Sequence, residues 1–378
     1  MILSEEQQLI RDMARNFAKD RIAPNARDWE AACEIPRSVI SEMAELGLMG
    51  ALTPEEYDGA NVGHIAYALA LMEIASGDGA LSTVLSVHNS VGCMPINKFG
   101  SEEQKEEFLK PMARGEKLGA FALTEPHTGS DAANLKTRAK KDGDGWVLNG
   151  TKQFITSGKI GDIVIAFAVT DPDAGKKGIS AFIVPTDTPG YTVSSIEKKM
   201  GQKASDTAQI VFEDMRLSGK CLLGQEGQGY KIALSNLEGG RIGIASQCVG
   251  MASAAMEAAR DYALDREAFG TAIANHQAVA FKIADMATQI EAARQLILHA
   301  AALRDAGEPC LKEASMAKLF ASEMAERVCS DAIQIHGGYG YTEDFVVEKI
   351  YRDVRVSQIY EGTSEVQKLV ISRAALVG

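Results

Sequence analysis

One carboxylate placed where the chain changes direction is the first candidate for chemistry in this sequence. In Ile359-Tyr360-Glu361-Gly362-Thr363-Ser364-Glu365-Val366-Gln367, Glu361 stands beside two apolar side chains and ahead of a glycine that frees the backbone. A carboxylate desolvated by such neighbours has its pKa raised toward the range useful for a general base. The plainer reading is a helix start, because Ser364 followed three residues later by Gln367 is a capping-box pattern. Local pattern alone favours that plainer reading. A second dense stretch runs from Phe121 to Asp131 and carries threonine hydroxyls, a rigid Glu125-Pro126 step and Gly129-Ser130. It would let backbone approach a ligand closely, although a decorated loop between a helix and a strand has the same composition. His336 has no carboxylate beside it in sequence and reads as structural. The following Gly337-Gly338-Tyr339-Gly340 reads as a helix C-terminal cap.

Other chemistries are excluded by spacing and composition. Gly224-Gln225-Glu226-Gly227-Gln228-Gly229 lacks the GxGxxG spacing and reads as a linker into a helix, and no glycine cluster is followed by the Lys-Ser/Thr of a P-loop. The 378 residues carry 39 Lys+Arg against 51 Asp+Glu, a net charge of −12 that speaks against nucleic acid while leaving room for an anionic small molecule. The six cysteines form no CxxC pair and no zinc-ligand spacing, so they are expected to be reduced thiols with no metal. No apolar run is long enough to span a bilayer. The N-terminus resembles neither a signal nor a transit segment, which predicts a protein that stays in the cytoplasm, with a trimmed mitochondrial matrix protein as the alternative.

The elements that would position these residues follow from proline and periodicity. Nine of the ten prolines fall by position 189, leaving a second half suited to long helices. There Ile283, Met286, Ala287 and Ile290 share one helical face, as do Met316, Phe320, Met324 and Val328, with Gly307-Glu308-Pro309 as the turn between them. Short β-branched and aromatic runs at 146–148, 162–169, 179–184 and 208–212, separated by turn clusters, predict an antiparallel sheet domain. The first 120 residues return to helical spacing at Leu9, Met13, Phe17 and again at Ile40, Met43, Ala44. The expectation is a mainly α protein with a central β domain: an N-terminal helical domain over 1–120, a β domain over 121–225 and a helical bundle over 226–378, with no Rossmann fold.

Seven motifs in order, LTEPHTGSD (123–131), QFITSG (153–158), EGGRIGIASQ (238–247), DREAFG (265–270), HQAVA (276–280), QIHGGYGY (334–341) and IYEGTSEVQ (359–367), resemble the FAD-dependent acyl-CoA dehydrogenases, short-chain and short branched-chain members most of all. The resemblance implies a central β-barrel, a C-terminal four-helix bundle, a homotetramer, and FAD held without a Rossmann fold. It makes Phe121, Leu123 and Thr124 flavin contacts and sets Ser130 at flavin or thioester. Phe154, Ile155 and Thr156 become the strand against the isoalloxazine ring, with Phe154 where many relatives have Trp. Arg266, Phe269 and Gln277 would hold the pyrophosphate and adenosine, Gln334, Gly337 and Gly338 would reach a neighbouring subunit's FAD, and Thr363 and Glu365 would complete the cofactor site.

On the same resemblance Glu361 is the base that removes an α-proton of acyl-CoA while the β-hydrogen leaves as hydride to the flavin, giving a trans-2-enoyl-CoA. Glu238, Arg241, Tyr360 and Gly362, with Ser130 and Glu361 itself, would bind the substrate. Some relatives carry the base immediately before the arginine of the third motif, Arg241 here; in this chain that place is Gly240, which strengthens Glu361. An electron-transferring flavoprotein is the implied reoxidant, and acyl groups of four or five carbons, straight or 2-methyl-branched, the implied substrates. An acyl-CoA oxidase on the same fold and a non-enzymatic helical scaffold are the alternatives, set apart by oxygen consumption and by whether the protein takes up FAD.

Overall fold

The computed structural model describes residues 1–377. Four helices organise the N-terminal part: α1 (Glu5–Phe17), α2 (Arg37–Glu45), α3 (Gly63–Gly77) and α4 (Gly79–Val87). In α1 the spacing predicted a helix, and Met13 and Phe17 pack against the core as expected, but Leu9 does not. Leu9 is 70% exposed, and Ala14 and Ala18 are the buried positions. A stripe at i+4 steps alone drifts around a 3.6-residue helix, so it need not follow the core. In α2 the expected Ile40 and Met43 are fully buried.

The middle of the chain folds into eight strands: β1 (Gly119–Ala122), β2 (Arg138–Asp142), β3 (Gly145–Thr156), β4 (Ile163–Val169), β5 (Ile179–Pro185), β6 (Tyr191–Ile196), β7 (Thr207–Leu217) and β8 (Leu222–Leu223). They form one sheet in the order β6-β7-β3-β2-β4-β5-β8, with β1 also on β4. Five ladders are antiparallel as the short turn-separated strands predict, but β1 and β2 both run parallel to β4. Every residue of β4 is buried because both faces are covered. Ile163, Ile165, Phe167 and Val169 enter one core cluster, Val164, Ala166 and Ala168 the other, which explains its continuous apolar run.

Five helices complete the chain: α5 (Gly229–Asp265), α6 (Gln277–Asp305), α7 (Leu311–His336), α8 (Val347–Val354) and α9 (Ser364–Val377). The first three have 37, 29 and 26 residues. The buried seam of α7 runs through Ala314, Ala317, Ala321, Met324, Ala325 and Val328, whereas Met316 and Phe320 are only partly buried. Small side chains let the helices approach closely, and Ala245, Ala252, Ala255 and Ala259 do the same for α5. Helix α3 joins this core: Ala68 and Met72 belong to the same cluster, and a Cβ on Gly250 of α5 would lie 2.1 Å from the Met72 carbonyl oxygen. The first and last parts of the chain therefore share one interior. A buried cation links them to the sheet domain: Lys349 of α8 donates to Asp78 and Asp353, both at 2.6 Å. Asp353 also accepts from the backbone N–H of Gln202, in the loop between β6 and β7.

Candidate active site

Glu361 lies in the turn between a short 3-10 helix (Arg355–Gln358) and α9. Its φ is +52°, and Gly362 follows at +91°. Two consecutive residues in the left-handed region make a sharp reversal that only the glycine adopts freely. Residue 363, not 364, caps α9: Thr363 Oγ1 accepts from the Val366 N–H at 3.4 Å, while the Ser364 hydroxyl is buried without a partner. Gln367 uses its amide to donate to the carbonyls of Glu361 at 3.2 Å and Gly362 at 2.9 Å, so it braces the turn instead of closing a capping box.

The Glu361 carboxyl packs onto the backbone of α5 at Gly240, where an added Cβ would stand 1.7 Å from its Oε2. That oxygen is buried and makes no hydrogen bond. Burial pushes the acid up to about 7, against the opposing pull of Arg241 and Lys318. Neither cation forms an ion pair with it among the described residues. Arg241 is itself buried, its Nε unpartnered, and burial holds its pKa below the ordinary arginine value. Unpaired polar atoms are uncommon in protein interiors. Here Glu361 Oε2, Arg241 Nε, Ser364 Oγ and Gln367 Oε1 gather at one turn and the helix beneath it. The arrangement offers a desolvated base whose lone pair is not already spent.

Tyr360 points elsewhere, its hydroxyl donating to Gln247 at 2.8 Å and receiving from Gln202 at 3.4 Å. Glu238 lies on α5 and is ion-paired with Arg304 of α6 at 3.1 Å.

The loop after β1 is rigidly built. Glu125 is buried and accepts from the N–H groups of Lys136 at 2.6 Å and Thr137 at 3.0 Å. Lys152, fully buried on β3, donates to Glu125 at 2.8 Å and to the Leu123 carbonyl at 3.2 Å. Burial lowers the Lys152 pKa to about 8, with Glu125 opposing. Breaking such a pair by removing one partner strands the other charge, at a cost of about 3–5 kcal/mol. Lys152→Met is therefore expected to lower the unfolding free energy by that order and to loosen the Phe121–Ser130 segment, whereas Lys152→Met with Glu125→Gln, which removes both charges and keeps an acceptor for the Lys136 and Thr137 N–H groups, recovers much of the loss. Denaturant unfolding of the three proteins checks this, and a stable single variant would contradict it.

On this frame the predicted cofactor residues divide. Thr124 and Thr156 are half-buried and Ser130 is exposed. Phe121 and Leu123 are half-buried against the sheet core, Phe121 edge-on to Phe167 with centroids 5.0 Å apart. Phe154 is 61% exposed at φ +60°, a flat apolar surface on the strand. Ile155 turns inward and is 1% exposed, so only its backbone is available to a ligand. A second group forms an open cavity of about 480 Å³, lined by Arg266, Gly337, Gly338, Tyr262, His336 and Tyr339 among others. Gly337 caps α7 at φ +61°, as its position predicted. Phe269 is 97% exposed and stacks edge-on to His276; Gln277 and Gln334 are exposed but do not line that cavity. Thr363 is occupied as a cap, and Glu365 is exposed in the first turn of α9.

The structure thus offers two groups: an exposed ring at Phe154 with hydroxyls at Thr124, Ser130 and Thr156, and a separate cavity with the Arg266 cation. Comparison with known proteins identifies the family. The acyl-CoA dehydrogenase N-terminal, middle and C-terminal domain families match residues 4–116, 120–215 and 227–376. An acyl-CoA dehydrogenase of Bacillus subtilis (strain 168) is 50% identical over 378 residues, all of both chains. Among solved structures, butyryl-CoA dehydrogenase from Megasphaera elsdenii superimposes with a TM-score of 0.97 at 42% identity, covering 100% of this chain and 99% of that one. A chain from a structure described as an electron transferring flavoprotein of Acidaminococcus fermentans, studied for flavin-based electron bifurcation, gives 0.99 at 46% identity with both chains fully covered. The chain belongs to the acyl-CoA dehydrogenase family of flavoprotein oxidoreductases.

Two buried lysines, Lys152 and Lys318, escape motif reading. Both had a signal in the sequence. Continuing the inward alternation of β3 from Trp146 and Leu148 reaches Lys152, and Lys318 falls within the alanine seam of α7. A charge on an apolar face is the mark of a buried partner.

Proposed function

We propose that the protein dehydrogenates short-chain acyl-CoA, straight or 2-methyl-branched, between Cα and Cβ, with Glu361 as the base and FAD as cofactor. The observation that carries this is the orphaned Oε2 of Glu361, held on Gly240 with two cations near but none bonded to it. When bound, the flavin supplies the acceptor for the hydride that leaves Cβ. The protein's part is to take the α-proton. An α-C–H is acidic enough for a carboxylate only if the thioester carbonyl is polarised, and the backbone N–H of Glu361, which has no partner among the described residues, is the donor for that oxygen. The acyl chain lies over the carboxyl and excludes water, keeping the base desolvated. Arg241 supports substrate and turn from α5, with the Tyr360 backbone, Gly362, Ser130 and Glu238 as the other substrate contacts; the Tyr360 hydroxyl is spent on Gln247.

Phe121, Leu123, Thr124, Ser130, Phe154, the Ile155 backbone and Thr156 hold the flavin end, with Thr363 and Glu365 at its edge. Arg266, Phe269 and Gln277 hold the phosphate and adenosine end together with Gln334, Gly337 and Gly338; because Arg266, Gly337 and Gly338 line one cavity of a single chain, one subunit of the homotetramer supplies these groups together, not two subunits in parts. A short acyl chain is supported by the likeness to a butyryl-CoA dehydrogenase. An electron-transferring flavoprotein as reoxidant is supported by the other solved likeness. No described helix is long and apolar enough to cross a membrane, and we place the working protein in the cytoplasm.

The test is anaerobic addition of butyryl-, 2-methylbutyryl-, isovaleryl- and octanoyl-CoA to the yellow protein, following the visible flavin band. Rapid bleaching by the butyryl or 2-methylbutyryl thioester is the expected result. Bleaching by octanoyl-CoA alone would overturn the chain-length assignment, and a protein that takes up no FAD would overturn the cofactor. Vigorous oxygen consumption without an added acceptor would point to an oxidase.

A further inference from the structure

A fully buried lysine normally has a carboxylate partner. Lys349 and Lys152 obey this, with their aspartates and Glu125. Lys318 of α7 does not: it is completely buried, forms no ion pair among the described residues, and its ammonium makes one hydrogen bond, to the Gly362 carbonyl at 2.7 Å. Burying an ammonium on a single neutral acceptor is expensive, and packing alone would be served better by an apolar side chain.

We propose that Lys318 is a positioning residue for the dehydrogenation: it clamps the Glu361–Gly362 turn through the Gly362 carbonyl and keeps a positive charge behind the base. The proposal rests on the reading of Glu361 as that base.

The geometry explains why a clamp is needed. Gly362 is the most freely rotating residue available, and it sits at φ +91° directly after a non-glycine residue in the left-handed region. Its carbonyl receives both Lys318 and Gln367, while the Glu361 carbonyl receives Gln367 alone. Fixing those carbonyls fixes the peptide planes between residues 361 and 363, and with them the direction from which the Glu361 side chain departs. Helices α7 and α9 thus grip the turn from two sides.

The charge has its own consequence. The groups that face the Lys318 ammonium are Arg241 and Cys248 from α5, Glu361 from the turn and Glu365 from α9. Burial brings the ammonium down to about 8, and the repulsion from Arg241 works in the same direction, while Cys248, Glu361 and Glu365 oppose it. Two cations, Arg241 and Lys318, hold the Glu361 carboxyl down against desolvation. Removing one of them lets the acid rise further, so that more of it is protonated, and idle, at neutral pH.

The experiment measures the rate of anaerobic flavin reduction by butyryl-CoA against pH for the holoenzyme, Lys318→Met, Lys318→Gln and Glu361→Gln. Lys318→Met, which loses donor and charge, should retain flavin but react at least about tenfold more slowly at pH 7, with its half-maximal rate displaced upward by about one pH unit. Lys318→Gln, which keeps a donor, should show the same displacement with a smaller loss at high pH. Rates within twofold of the parent, or a loss uniform across pH with an unmoved midpoint, would overturn the proposal and leave Lys318 a packing residue. Should Lys318→Met fail to fold, Lys318→Gln decides by the same criteria, and failure of both to fold also counts for packing. Glu361→Gln separates the two readings. If it reduces flavin normally the base assignment has failed; if it is inert while the Lys318 variants are parent-like, only this inference has.

Discussion

Glu361→Gln is expected to give a yellow protein that binds acyl-CoA and reduces its flavin about a thousandfold or more slowly, within the range that loss of a general base produces. The amide is nearly isosteric with the acid, so the contact with Gly240 survives, but it cannot accept the α-proton. The same substitution should make the protein more stable at alkaline pH, which is the less intuitive half of the prediction. Burial raises the Glu361 acid from 4.5 to about 7. A group whose folded pKa is raised favours the folded state below its unfolded pKa, and that advantage is lost as pH climbs through the folded value. Between pH 4.5 and 7 the parent therefore loses up to about 3 kcal/mol that the glutamine variant keeps, since each unit is worth about 1.4 kcal/mol. Unfolding both proteins at pH 5 and pH 8 tests it: the variant should gain on the parent at the higher pH. A stability difference that does not change with pH, or flavin reduction at a parental rate, would remove Glu361 from its role.

Gly240→Ala should cost a smaller but still large share of activity from a change of one methyl group. The new Cβ would lie 1.7 Å from Glu361 Oε2 and 2.6 Å from its Cδ, so the carboxyl must swing off its seat. The obstructed atoms are the far end of a side chain, and alanine favours the helix by about 1 kcal/mol; the fold and the flavin content should survive. A displacement of an ångström or more at the base is expected to lower the reduction rate by about a hundredfold, with a much smaller effect on acyl-CoA binding. Parental kinetics in a folded Gly240→Ala would show that the carboxyl has another productive seat. The same collision has an architectural meaning. A carboxylate on α5 at residue 240 and one at residue 361 would occupy the same space, so moving the base from one to the other takes two substitutions, neither of which works alone.

The helix–sheet–helix order was legible because proline content and apolar periodicity change abruptly along the chain. The parallel pairing of β1 and β2 with β4 was not, since nothing in a short apolar run encodes the direction of its partner. On α1 only Leu9 was misplaced: Met13 and Phe17 pack on the core, but the fully buried seam runs through Ala14 and Ala18, and small residues define close-packed seams as surely as large ones do. Glu361 stood out by its surroundings in sequence, but its seat on Gly240 is a long-range contact that no local pattern contains. The capping role was assigned to Ser364 because the motif fits it, whereas the φ values of Glu361 and Gly362 set the helix start one residue earlier. Ile155 was read with the strand against the flavin because it belongs to a motif; the bulge between Lys152 and Ile155, with Phe154 at φ +60°, breaks the alternation and turns its side chain inward.

The Lys349 cluster bears on how the molecule is made. Asp78 comes from the first quarter of the chain, Gln202 from the middle and Lys349 with Asp353 from the last thirty residues. A nascent chain emerging from a ribosome can fold its sheet and its early helices, but Asp78 has no counter-charge until α8 has been released. The turn bearing Glu361 and the helix that braces it emerge later still. The contacts that fix the Glu361 turn thus form only once α8 and α9 have been made, and a chain cut before α8 forfeits the junction of all three segments along with Glu361.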